Sequence, residues 1–175
     1  IKHKAIAEFD AYVNTLRKNG IDVKVIQDTD EPQKPDAIFP NNWISMQADG
    51  NVYLYPMCTP NRRLEKRTDI VDTLSSEFKI NQVIDLSETE KQHQFLEGTG
   101  SIIFDHINKK EYACLSPRTD KAVFEKHCEQ LQYEPISFIS EDANGYLVYH
   151  TNVMLTIGNG FAVICLASIK NTDER

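Results

Sequence analysis

Three residues with the means to move protons stand at nearly regular intervals along the chain: Asn42, Glu97 and His150, separated by 55 and 53 positions. An amide, a carboxylate and an imidazole gathered in one pocket supply a donor, an acid or base and a proton shuttle, provided a reacting atom sits within hydrogen-bond reach. Glu97 is the conspicuous one, because the stretch FLEGTGSIIF places a carboxylate between an apolar pair and two glycines at the entrance to an apolar strand. Taken singly, Glu97 also reads as a turn-flanking surface residue and His150 as a satisfied core histidine. Their spacing argues for a shared site.

The elements that must position these residues repeat with the same period. At positions 1–28, Ile6, Phe9, Val13 and Leu16 keep to one helical face, Gly20 supplies a stop, and DVKVIQ alternates as a strand. Positions 36–86 begin again with DAIFPNNWISM and NVYLYPM around an Asp49-Gly50 hairpin turn. A helix from Arg62 to Phe78 follows, with Ile70, Val71, Leu74 and Phe78 on one face, and QVIDL closes the unit. In positions 95–140, FLEGTGSIIF and EYACLS flank DHINKK, a helix capped by Ser116 or Thr119 runs to about Tyr133, and PISFIS closes. Positions 146–175 start a further unit with YLVYHTNVMLTI and FAVICLAS around GNG. This is a strand, strand, helix, strand module of about fifty-five residues, and a period in that range predicts an array or a radial propeller. In such a radial arrangement Asn42, Glu97 and His150, each late in a first strand, converge on the axis.

Composition excludes several classes. The chain has 175 residues, 41% hydrophobic and 26% charged, the balance of a globular protein with one substantial core. A net charge of −7 and a pI near 5.2 argue against a nucleic-acid partner. No run of eighteen apolar residues and no leader-like start is present, so no membrane partner is expected and the cytoplasm is the expected compartment. Cys58, Cys114, Cys128 and Cys165 form no C-x-x-C pair, which predicts reduced thiols; Cys128 and Cys165 are expected in the interior. His3, His93, His106 and His127 read as surface or packing residues, and Trp43 as core. The start at Ile1 and the end at TDER suggest a fragment.

PDAIFPNNW, PNRRLEKR, FLEGTGS, LSPRT and YHTNVM, in this order between positions 35 and 154, resemble the guanidine-modifying superfamily of arginine deiminases, dimethylarginine hydrolases and amidinotransferases. The resemblance is greatest to its citrulline-utilisation hydrolase branch. It implies the pentein fold, an α/β-propeller of five ββαβ modules about a pseudo-five-fold axis, present here as an incomplete set. It further implies a catalytic Cys, His and acidic residue in an axial funnel. Carried over by motif, Glu97 is the acidic residue and His150 the histidine, while the nucleophilic Cys belongs to a last module that this chain lacks. The resemblance also implies that Arg63, with Arg62 as competitor, and Arg118 bind a substrate carboxylate, to which a guanidinium fork is suited.

Where arginine-handling relatives carry two aspartates that grip a guanidinium, this chain has Asn42 and Asn152. An amide offers a donor and an acceptor without charge, which suits a neutral ureido group such as that of citrulline. The expected function is therefore hydrolysis of a C–N bond in a ureido or guanidino amino acid, citrulline-type first, through a covalent cysteine intermediate, with no metal or organic cofactor. The partner is a small amino acid, and a homo-oligomer stays open. The rivals are amidino transfer, arginine or dimethylarginine hydrolysis, and, from another class, a non-catalytic pentein that binds ribosomes.

Overall fold

The computed structural model describes residues 2–175, and Ile1, the first residue of the opening unit, lies outside the described residues. Residues 2–30 form one compact unit and residues 31–175 another. The first contains helix α1 (Lys2–Lys18), ended by Gly20 at φ +82°, a conformation open to glycine without steric cost. Of the apolar face expected there, Val13 is buried, while Ile6 and Phe9 are exposed. The strand expected at 22–27 does not form, because a strand is defined by a ladder and no described residue pairs with this segment.

The second unit carries three sheets. Strands β1 (Ile44–Met46) and β2 (Asn51–Leu54) pair antiparallel around the Asp49-Gly50 turn, where Gly50 sits at φ +86°, and β3 (Gln82–Asp85) joins β2 in parallel. The same order returns as β4 (Ile102–Asp105) antiparallel to β5 (Lys110–Cys114), a helix, and β6 (Glu134–Phe138) parallel to β5. A two-stranded ribbon, β7 (Leu155–Gly158) with β8 (Phe161–Ile164), follows. Among the described residues these sheets do not close a ring.

Two helices depart from the sequence reading. The helix expected from Arg62 to Phe78 is split into α2 (Pro60–Arg63) and α3 (Thr68–Glu77), with Arg67 extended between them. Arg62 in α2 and Glu65 just beyond it are both buried and paired with each other. The helix between β5 and β6, α5 (Lys121–Leu131), which follows a short turn α4 (Gly98–Ser101) in chain order, is capped by Asp120 and not by Ser116 or Thr119. The Asp120 carboxylate accepts from the Val123 amide at 3.0 Å. Thr119 is buried instead, donating to Ser101 Oγ.

One core gathers Tyr53, Tyr55, Leu96, Ile102, Ala113, Val123, Phe124 and Cys128; a second gathers Cys114, Phe138, Met154, Leu155 and Ile169. Phe124 is fully buried, and each side chain of that kind contributes about 1.5–3 kcal/mol. Trp43 is buried as expected, whereas Cys165 is exposed, contrary to its alternating context. Cys165 falls just after β8, an edge of a two-stranded ribbon with no neighbour on its far side among the described residues, so the alternation has nothing to pack against.

A polar chain crosses the first core. Ser45 Oγ and the Tyr55 hydroxyl are 2.7 Å apart, Tyr55 meets His127 Nε2 at 3.1 Å, and His127 Nδ1 meets Glu111 Oε2 at 2.9 Å. The Cys128 thiol donates to that same oxygen, and Glu111 Oε1 has no partner among the described residues. Burial, with Glu111 adding to it, pushes the Cys128 thiol far above its usual range. Breaking such a network from one side leaves a buried group stranded. Glu111→Leu is expected to cost about 1–3 kcal/mol, whereas Glu111→Leu with His127→Leu returns close to the parent stability. Urea denaturation of both variants measures the difference.

Candidate active site

Neither Glu97 nor His150 lies within a strand. Each stands immediately before a short helical turn that feeds the first strand: Glu97 before α4 and His150 before the turn Thr151–Val153. Asn42 closes the corresponding turn Pro40–Asn42, so the place equivalent to Glu97 and His150 is Phe39. The expectation that all three share one register is corrected accordingly. Periodicity could not show these turns, because Gly-Thr-Gly and Thr-Asn-Val carry no apolar alternation.

The three turns nevertheless meet, because α4 packs against both of the others. Gly98 sits at φ +44°, and a Cβ there would lie 2.3 Å from the Asn41 carbonyl oxygen. Gly100 is the closer constraint: a Cβ would fall 2.2 Å from Asn42 Nδ2 and about 3 Å from the His150 ring. The two glycines thus bring the amide of one module and the imidazole of another onto the same backbone turn. Ser101 Oγ accepts from the Glu97 amide at 3.0 Å, and Thr151 Oγ1 donates to the Ser101 carbonyl at 2.5 Å while accepting from the Cys114 amide at 2.7 Å. These bonds tie the Glu97 and His150 turns to one another.

Glu97 is completely buried and its oxygens are occupied. Oε2 lies 2.7 Å from His150 Nε2 and 3.4 Å from Arg118 Nη1, and Oε1 accepts from the Cys58 amide at 3.0 Å. Burial alone would raise its pKa, but the His150 and Cys58 hydrogen bonds and the charges of His150 and Arg118 outweigh it and hold the carboxyl below its usual range. With an ionised acceptor at Nε2, that nitrogen carries a hydrogen, and in the neutral ring Nδ1 is the one with the lone pair. Nδ1 has no hydrogen-bond partner among the described residues.

A cleft of about 390 Å³ opens over this pair, with Asn42, Arg62, Arg118, Tyr149, His150 and Asn152 in its lining. The structure therefore brings Asn42, His150, Asn152 and Arg118 to one cleft, with Glu97 behind the histidine. The Arg118 guanidinium is 4.8 Å above the Tyr149 ring, which holds it at the rim. Arg63 is elsewhere: it donates to the Met57 and Cys58 carbonyls, lies 3.5 Å from Glu90, and does not line the cleft. Its neighbour Arg62 does, at 5% exposure; the sequence reading gave Arg62 only a secondary place and Tyr149, also in the lining, none. The signal for Arg62 was available in its spacing of three from Glu65 on a helical turn.

The thiols of Cys58 and Cys114 are not activated. Burial raises the Cys58 thiol, Glu97 adding to this and Arg118 and Arg63 opposing it, and burial pushes Cys114 up to about 11. Among the described residues no helix is long and apolar enough to cross a membrane.

The profile of the family described as N,N dimethylarginine dimethylhydrolase, eukaryotic, matches residues 1–175. The chain belongs to that family. It is a family of hydrolases by name and lies within the guanidino-modifying superfamily expected from the motifs. Solved structures agree in fold. The N-terminal domain of ArgZ, an arginine dihydrolase of cyanobacteria, crystallised with its substrate, superposes with a TM-score of 0.76 at 17% identity, over 99% of this chain and 59% of that one. AgrE in its binary complex with L-arginine gives 0.78 at 18% identity, over 100% of this chain and 24% of that one. A dimethylarginine dimethylaminohydrolase bound to 4-chloro-2-hydroxymethylpyridine gives 0.68 at 17% identity, over 94% of this chain and 61% of that one. The chain thus spans less than two thirds of each of these relatives. No curated protein matches the sequence.

Proposed function

We propose that this chain supplies the acid–base half of a hydrolase that cleaves a C–N bond of a ureido or guanidino amino acid, citrulline-type in preference. The observation that carries the reading is the Glu97–His150 pair at 2.7 Å, with a free Nδ1 beside the amide nitrogen of Asn42. The three sheets are part of a five-module propeller, and the nucleophilic cysteine comes from outside these 175 residues. Support for the latter is the elevated pKa of Cys58, Cys114 and Cys128, with Cys165 exposed just after β8.

The chemistry then runs through His150. Nδ1 takes the proton of the incoming thiol, leaving a thiolate beside an imidazolium that Glu97 stabilises. Sulfur attacks the ureido carbon, the C–N bond to the amino-acid side chain breaks, and Nδ1–H protonates the departing nitrogen. The S-carbamoyl enzyme is opened by water, which gives its proton to Nδ1, and the thiol leaves with carbamic acid, which decays to carbon dioxide and ammonia. Arg118 at the rim pairs with the substrate carboxylate, and Asn42 and Asn152 address the neutral head group.

The family profile favours a second reading, hydrolysis of a methylated or plain guanidino group. In it, thiolate attack at the guanidino carbon breaks the C–N bond to a terminal nitrogen, His150 protonates that nitrogen as it leaves as amine or ammonia, and water then frees the thiol from the thiouronium to give a ureido product. Ammonia and amine release by the full-length protein from citrulline, arginine and dimethylarginine separates the two. Citrulline is expected to give the highest kcat/KM; preference for either guanidino substrate overturns the ureido assignment, and inactivity on all three overturns the hydrolase.

A further inference from the structure

We propose that Arg62 is a positioning residue: by fixing which end of the Asn42 amide faces His150, it makes the cleft select a neutral ureido group over a guanidinium. The inference rests on the functional reading above and adds the determinant of its specificity. Arg62 is itself held from every side. Its Nε and Nη2 donate to the two carboxylate oxygens of Glu65, each at 2.9 Å, and Nη2 also reaches the Phe39 and Asp36 carbonyls at 3.3 and 3.4 Å. Arginine and glutamate are 5% and 2% exposed, so the pair has one geometry. Burial works against the charge of Arg62, but the Glu65 hydrogen bonds and the charges of Glu65, Glu97 and Asp36 outweigh it and leave the guanidinium more firmly protonated than usual.

The remaining donor decides the amide. Arg62 Nη1 gives its hydrogen to Asn42 Oδ1 at 2.8 Å. A guanidinium has five N–H groups and no acceptor, so an amide turned the other way would set N–H against N–H. Asn42 is therefore locked with Oδ1 towards Arg62 and Nδ2 towards Gly100, the residue over which the His150 ring also lies. The two hydrogens on Nδ2 have no acceptor among the described residues. Asn42 alone has no preference between donor-rich and acceptor-bearing ligands; held by Arg62, it offers donors only. The carbonyl oxygen of a ureido group accepts from them, whereas a guanidinium presents only further N–H groups and a positive charge.

The test is calorimetric binding of citrulline and of arginine to the full-length protein, which needs no turnover. Three forms are compared: the parent, Arg62→Lys, and Arg62→Gln combined with Glu65→Gln. The double variant keeps the buried site neutral, and the glutamine introduced in place of the arginine can accept as well as donate, so Asn42 is free to turn. Its citrulline-over-arginine affinity ratio is expected to fall about tenfold, the equivalent of one hydrogen bond. Arg62→Lys, which still only donates, is expected to keep the ratio. A merely structural role would lower both affinities together and leave the ratio unmoved, and that result overturns the proposal. Parent protein that binds neither ligand overturns the functional reading and this one with it, whereas binding with an unmoved ratio overturns the role of Arg62 alone.

Discussion

His150→Ala in the full-length protein lowers kcat by about 10²–10⁴-fold, the contribution of a positioned acid and base, with a smaller change in KM. The expectation follows from the partners of the ring: Nε2 is engaged by Glu97, so Nδ1 is the one nitrogen left to exchange protons with thiol, leaving group and water. The companion change Glu97→Gln keeps the shape but leaves one acceptor oxygen to serve three donors, the Cys58 amide, His150 Nε2 and Arg118 Nη1. If the new NH2 group faces the histidine, the ring reverses its tautomer and Nδ1 carries a hydrogen it cannot use as a base. Steady-state kinetics checks both, with kcat expected to fall in each variant and further in His150→Ala. Parent-like kcat in either variant contradicts the roles assigned to the pair.

Asn42→Asp is expected to reverse the proposed preference for a ureido over a guanidino substrate. An aspartate at this place keeps one oxygen on Arg62 Nη1 and turns the other towards the space now faced by Nδ2. That oxygen repels a ureido carbonyl and attracts a guanidinium through a charge-assisted hydrogen bond of about 1.5–3 kcal/mol, or roughly 10- to 150-fold in kcat/KM for arginine. Citrulline turnover falls by a comparable factor. Parallel kinetics with the two substrates reads the crossing directly, and equal losses on both would sink the argument from the amides. Because Glu65 already neutralises Arg62, the added carboxylate enters a site without a spare positive partner until the cationic substrate arrives.

Much of the site was legible in one dimension because the chain repeats itself. The two glycines after Glu97, the period of the hairpins and the order of five motifs were sufficient to place Glu97 and His150 at corresponding points. The turns that carry them were not legible, since a four-residue turn such as Gly98–Ser101 has no periodicity to detect and is held by contacts with other modules. The split between α2 and α3 escaped for the same reason. The apolar spacing from Ile70 to Phe78 is continuous with a helix, and the extended backbone at Arg67 that interrupts it leaves no mark in that spacing.

Residue types and their order determined the superfamily, the strand, strand, helix, strand units and the pairing of an acidic residue with a histidine, because those depend on local propensity and on spacing within the chain. Tertiary structure alone decided that Arg62 and not Arg63 reaches the cleft, that Glu97 is spent on His150, Arg118 and the Cys58 amide, and that Asn42 turns its Nδ2 towards Gly100. Each of those outcomes is a direction in which a side chain points, and direction is set by which hydrogen-bond partners arrive from distant parts of the chain and by the room that Gly100 leaves for them.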